Sequence, residues 1–287
     1  MPTVKKATLE MLGQIYPLLQ HFGIRELNQN DWQRLLEKRW SNRFDHFGYV
    51  LLEEEQVVGF LGTFFYERKI LGKTHDFCNL FCWIVPEEHR KSSLFLLLAV
   101  LNIKDLTVTS LTASREASLI LKQFKFKTLE TDVKIFPVFL SLSPGRGTVL
   151  YSAPETIRSR LNKQDLALYT DHNLASCEHL LAVNKDNESQ YCYLIYNTVR
   201  KKNLRFTQIY FISNSTIFKK AFSPIQHFFL KHNRTLFTVI DKRLTGSPSP
   251  GPGFNYTLRY PRLYRSKDIQ ASQIDNLYTE LVFLKKI

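Results

Sequence analysis

The chain has 287 residues, 44% of them hydrophobic and 13% aromatic, with a formal net charge of +13. That length and composition give a globular protein with room for two domains and sizeable cores, and exclude a disordered chain. No basic segment followed by an apolar run opens the chain, and the longest uncharged apolar run, Leu94 to Leu101, is much too short to span a bilayer, so a soluble, cytoplasmic protein without a membrane span is expected.

Four cysteines with no dense framework predict free thiols in a reducing compartment. The charge is unevenly placed: residues 1–143 carry 18 Lys and Arg against 16 Asp and Glu, and residues 144–287 carry 21 against 10. The second half therefore predicts an acidic partner, such as a nucleotide-bearing substrate, an RNA, an anionic polymer or a membrane surface.

A short extended segment, Thr3 to Ala7, opens the chain. Leu12, Ile15, Leu18, Leu19 and Phe22 then have helical spacing, which Gly23 closes. Asn30 can cap a second helix whose apolar stripe is Trp32, Leu35, Leu36 and Trp40, ending at Ser41 and Asn42. Tyr49 to Leu52, an acidic turn at Glu53 to Gln56, and Val57 to Tyr66 read as an antiparallel hairpin that continues through Leu71 and Gly72.

The stretch from Phe77 to Leu101, FCNLFCWIVPEEHRKSSLFLLLAVL, reads as a buried strand ended by Pro86, a sharp turn and a helix with acid at its start. The turn carries HRKSS, two bases beside two small hydroxyl residues, which suits a pyrophosphate held at a helix N-terminus. Leu106 to Leu111 follows as a strand, Glu116 to Phe124 as a helix, and Lys125 to Val138 as a closing pair of strands.

Residues 141–155, SLSPGRGTVLYSAPE, are rich in Ser, Pro and Gly and read as a linker between a domain at 1–140 and a basic domain at 156–287. Beyond it the order repeats: strands at His179 to Val183, Tyr191 to Val199 and Leu204 to Ser213, helical spacing from Ile217 to Leu230, and a strand at Leu236 to Ile240. Matching elements lie about 130 residues apart, which predicts two related α/β units. NSTIFKK, at the place of the phosphate turn, lacks glycine and Arg. Arg259, Arg262 and Arg265 interleave with Tyr256, Tyr260 and Tyr264, a pattern suited to an acceptor or polyanion.

His75, Cys78, Cys82 and His89 have the residue types of a zinc site. Cys78 and Cys82 lie about 13 Å apart along a strand, too far to converge on one ion, so no metal is expected.

The stretch from Ile84 and Val85 through Pro86 to Leu94 resembles motif A of the GNAT acyltransferase superfamily, a strand ending in V-x-P followed by Q/R-x-x-G-x-G/A and a helix. The element order along residues 5–140 matches that fold too. The resemblance implies an α/β (α+β mixed) fold of two GNAT-like units, each a mostly antiparallel mixed sheet flanked by helices. It further implies acetyl-CoA or another acyl-CoA held by Ile84, Val85, His89, Arg90, Lys91, Ser92, Ser93 and Leu94. Counted from Arg90, the glycine positions hold Ser93 and Phe95; counted from Pro86, they hold Ser92 and Leu94. Ala117 to Phe126 corresponds to the family's A-x-x-L-Y-x-K-x-G-F, with Leu121 at the tyrosine and Lys125 at the glycine. Asp76 and His75, at the entrance of the central strand, are the candidate bases.

What the resemblance implies is acyl transfer from acyl-CoA to an amine or hydroxyl acceptor. Two further readings stand beside it: a tRNA-dependent aminoacyltransferase, whose members also pair two GNAT-like units and would use the basic half for tRNA, and a catalytically inactive GNAT-like binding protein.

Overall fold

A computed structural model describes residues 2–21, 27–37, 40, 42–138, 147–173, 177–201 and 204–284. The helix end expected at Gly23, the expected break at Ser41 and the first residues of the expected linker, 141–146, lie outside them.

The first unit comprises Met1–Leu129 and Arg262–Gln273. Its elements are β1 (Thr3–Lys6), α1 (Leu12–Gln20), α2 (Gln29–Leu36), β2 (Gly48–Glu53), β3 (Gln56–Ile70), β4 (Lys73–Ile84), α3 (Ser93–Leu101), β5 (Leu106–Ser110) and α4 (Arg115–Gln123). Asn28 caps α2, not Asn30: its side chain accepts from the Asp31 amide while Asp31 accepts from the Asn28 amide, which satisfies two orphan donors reciprocally. Glu54 and Glu55 both take positive φ between β2 and β3, and Leu71 and Gly72 do so between β3 and β4. Two-residue turns of that hand match the twist of the flanking strands, which makes β2, β3 and β4 one antiparallel meander. Strand β4 then pairs in parallel with β5, from Asp76↔Leu106 to Asn79↔Thr109.

One face of this sheet packs on α3 and α4 through Leu51, Leu61, Leu80, Leu96, Leu97, Val100 and Leu121. Gly62 lies under the Phe81 ring, 2.8 Å from where a Cβ would stand, and that ring stacks on Phe64 at 4.2 Å. Gly62→Ala is expected to cost about 1–3 kcal/mol, because the ring can yield only by giving up that stack. A lowered urea midpoint with an unchanged slope is the result that checks it.

The second unit comprises Glu130–Pro261 and Ile274–Ile287. It takes most of β6 (Lys127–Pro137), then β7 (Thr148–Tyr151), α5 (Pro154–Arg160), α6 (Lys163–Asn173), β8 (Glu178–Asn184), β9 (Asn187–Lys201), β10 (Leu204–Ile212), α7 (Ser215–Lys220), α8 (Phe222–Phe228), β11 (Phe237–Asp241), α9 (Lys242–Thr245), most of β12 (Phe254–Arg265) and α10 (Glu280–Leu284). Strands β7 to β10 form an antiparallel series, and β10 pairs in parallel with β11 from Phe206↔Phe237 to Ile209↔Ile240. This repeats the pairing scheme of β1 to β5.

Two features differ from the sequence reading. The segment expected as linker contains β7 and the start of α5. In place of the pair of strands expected over Lys125 to Val138 there is one strand, β6, and it does not close the first unit: Val133 to Pro137 pair with β11 of the second. The strand beside β5 comes instead from the end of β12, where Leu263↔Ser110 and Arg265↔Val108 are in register. Each unit thus takes its sixth strand from the other half of the sequence.

Candidate functional site

The two ends of β4 differ. Pairing with β5 stops at Asn79↔Thr109, while β4 runs on to Ile84. Opposite β3 the register slips between Phe60 and Gly62, so that Leu61 faces two β4 residues, and Cys82 takes φ +47. Such a bulge bends the strand away and leaves backbone amides and carbonyls along its free edge.

Into that gap open the end of β4, the start of α3 and the start of α4. They enclose a cleft of about 540 Å³ lined by Trp83, Val85, Arg90, Ser93, Ser114, Glu116, Ala117 and Ile120. The chain reaches α3 through a 3-10 turn, Glu87–Ser92, which runs straight into the α-helix. Ser114 caps α4, accepting from the Ala117 amide at 3.2 Å. The Glu116 carboxyl is held below the usual range by its own amide and by the Ser114 hydroxyl, with smaller contributions from Arg115 and Arg90. Arg90 itself is exposed and has no ion pair among the described residues. The Trp83 indole Nε1 is buried with no hydrogen-bond partner.

Of the residues expected to hold a donor, Val85, Arg90 and Ser93 line the cleft and Ile84, His89, Lys91, Ser92 and Leu94 do not. His89 turns toward the end of β2, its Nδ1 3.1 Å from Glu53 Oε2. The Ser93 amide donates to the Arg90 carbonyl and the His89 amide to that of Pro86, so the 3-10 turn uses amides that the sequence pattern left for phosphate. Trp83, Ser114, Glu116, Ala117 and Ile120 were not foreseen. Ser114 followed by Glu116 at a helix start was the one signal for them.

Asp76 and His75 lie at the opposite end of β4, about 30 Å along the strand from Val85. Arg43 Nε is 2.8 Å from Asp76 Oδ2, and this ion pair holds the carboxylate in a structural contact. The geometry therefore separates both candidate bases from the cleft. Cys78 is fully buried, and burial pushes its thiol well above the ordinary range, which makes it packing rather than a nucleophile. Leu121 is 1% exposed within the core, so no phenol stands at that position of α4. Arg259, Arg262 and Arg265 do not form one patch: Arg262 is 2% exposed, Arg259 lies over the Tyr260 ring, and Arg265 faces a different pocket. Alternation along β12 puts residue 262 on the opposite face from 259 and 265.

In the second unit Asn214 caps α7 by accepting from the Thr216 and Ile217 amides, both at 3.1 Å, and Lys219 donates to the Ser247 carbonyl. The helix start that corresponds to the phosphate turn is thus already occupied by the chain's own groups. Among the described residues no three His, Cys, Asp or Glu side chains are grouped to hold a metal ion, and no helix is long and apolar enough to cross a membrane.

No protein-family profile matches the chain, and no curated protein matches it. Solved structures do match. A GCN5-related N-acetyltransferase from Anabaena variabilis ATCC 29413 is 12% identical with a TM-score of 0.63, covering 93% of this chain and 73% of its own. One from Kribbella flavida is 13% identical with a TM-score of 0.64, covering 94% and 72%. A conserved protein of unknown function from Enterococcus faecalis V583 is 14% identical with a TM-score of 0.63, covering 93% and 72%. At that level of identity the likeness establishes the fold, which is that of the GCN5-related N-acetyltransferases.

Proposed function

We propose that the chain is an acyltransferase that moves an acyl group from an acyl-CoA, acetyl-CoA or a longer homologue, to an amine or hydroxyl acceptor, with the donor held in the cleft of the first unit. The observation that carries this reading is the cleft itself, where a parted strand edge, the unpaired Arg90 and the Ser93 and Ser114 side chains line one space. The pantetheine amides of coenzyme A can add along the free edge of β4 as an extra strand does. Arg90 and the Ser93 and Ser114 hydroxyls supply contacts for the phosphates.

The chemistry that fits is direct attack of the acceptor on the thioester carbonyl, with the carbon–sulfur bond breaking to release the thiolate. An acyl-enzyme on Cys78 is ruled against by its burial. The matching pairing schemes support two GNAT-like units in tandem, of which only the first is built for donor. The four cysteines, all free, suit a reducing, cytoplasmic setting.

Titration calorimetry with coenzyme A tests the reading. Saturable binding is expected from the parent chain, and Ala117→Trp, which fills the cleft from the α4 side, is expected to weaken it by about 100-fold or more. Absence of binding at about millimolar coenzyme sinks the donor assignment. A second reading, donor binding without transfer, is favoured by Leu121 at the tyrosine position and by the amides consumed in the 3-10 turn. Coenzyme binding with no release of thiol from acetyl-CoA across a panel of amines would select it.

A further inference from the structure

At the other end of the first unit a second pocket, of about 510 Å³, lies between the start of β4, the α3–β5 turn, the α4–β6 turn and the segment after β12. Five cations line it: Lys104, Lys125, Lys127, Arg265 and Lys267. The acids in the lining are Asp105 and Asp268. Lys267 takes one of them, with Nζ 3.4 Å from Asp105 Oδ1. Lys104, Lys125, Lys127 and Arg265 have no carboxylate partner among the described residues. Lys104, Lys125 and Lys127 come from the first half of the chain, which is nearly balanced in charge, and Arg265 and Lys267 are added to them from the basic second half.

The cations are brought together by backbone that has little freedom to spread. Lys125 takes φ +65 in a helix stop where the Phe126 amide returns to the Leu121 carbonyl and the Phe126 ring is buried. Arg265 is held in register with Val108, and Ile269 buries itself just beyond. Like charges fixed in one concavity repel one another, and a multiply charged anion relieves that cost. The Thr107 and Ser266 hydroxyls, 2.8 Å apart, and the His75 ring add further hydrogen-bonding groups. Among the described residues no aromatic ring other than His75 lines the pocket, so a nucleobase finds no Tyr, Trp or Phe platform there on which to stack.

We propose that this pocket binds a compact, multiply phosphorylated small molecule without a nucleobase, at a site separate from the acyl-donor cleft. The test is titration of the full chain with inorganic triphosphate at about 0.15 M salt, where contributions from distant surface charges are screened. Stoichiometric, saturable binding is expected, and Lys104→Glu combined with Lys127→Glu is expected to weaken it about 100-fold through loss of two charge-assisted contacts and reversal of their sign. Arg90→Ala is expected to leave it unchanged, and thermal melts of each variant report whether the fold survives. Four results overturn the proposal: no saturation at about millimolar triphosphate; equal weakening by the distant pair Lys5→Glu and Lys69→Glu, which means unspecific attraction; loss on Arg90→Ala, which puts the probe in the donor cleft; and tighter binding of single-stranded RNA with the same loss on charge reversal, which makes the partner a polymer.

Discussion

Arg90→Ala is expected to weaken coenzyme A binding by about 10- to 150-fold, the loss of one charge-assisted contact worth roughly 1.5 to 3 kcal/mol. The magnitude depends on Arg90 being free: no carboxylate holds its guanidinium among the described residues, so a phosphate gains its charge without first breaking an ion pair. Glu116, on the α4 side of the same cleft, works against the phosphates and limits the gain. Two further variants separate contact from crowding. Ser93→Val puts two methyl groups into the lining beside Arg90 and should also weaken binding, whereas Lys91→Ala should cost little because that side chain is exposed and outside the lining. Equal effects of Arg90→Ala and Lys91→Ala would mean that the donor meets a general basic surface and no specific seat. Measuring the same variants against dephospho-coenzyme A removes one phosphate and shows whether Arg90 reads the pyrophosphate or the 3′-phosphate.

The meander of β2, β3 and β4 was legible because its signals are local. Apolar and β-branched runs, the acidic turn at Glu53 to Gln56, Leu71-Gly72, and Pro86 at the end each act within a few residues. The exchange of sixth strands was not legible. Residues 133–137 and 262–265 both read as strands, and nothing local to either says that the first must pair with Phe237 to Asp241 and the second with Val108 to Ser110. That choice is made by long-range pairing, which composition and periodicity do not report.

The same distinction divides the candidate site. Val85, Arg90 and Ser93, which line the cleft, could be grouped from the sequence because they sit in one continuous strand-turn-helix stretch. The opposite wall of the cleft comes from α4, some 30 residues further along the chain, and Trp83 read only as one more apolar residue of a buried strand. The surroundings of Asp76 were hidden for a related reason: a carboxylate at a strand entrance shows in the sequence, but the Arg43 that pairs with it comes from the loop ahead of β2. The 3-10 form of residues 87–92 is a third case. Without the two glycines the turn has no positive-φ residue, winds tightly, and bonds its own amides instead of presenting them.

His179 gives a large expected dependence of stability on pH below neutrality. In the second unit its Nδ1 lies 2.7 Å from the Tyr193 hydroxyl, its ring packs against Tyr169 at 4.6 Å, and its Nε2 is buried without a partner. Burial, helped by His172 nearby, holds its pKa down to about 4, against an ordinary value of 6.5. A histidine depressed in this way stays neutral in the folded chain while the unfolded chain takes up a proton. Its contribution is therefore complete above pH 6.5, is lost as pH falls toward about 4, and changes no further once both states are protonated. The loss across that window is about 3 kcal/mol, from roughly 1.4 kcal/mol per pKa unit. His179→Gln keeps a partner for the Tyr193 hydroxyl and does not titrate, so its urea-derived stability should fall less than the parent's over the same window by that amount. Carboxylates titrating near the acid end are common to both proteins and cancel in the difference. Parallel curves for the two proteins would mean that solvent reaches the imidazole in the folded chain, and the burial assigned to His179 would then be wrong.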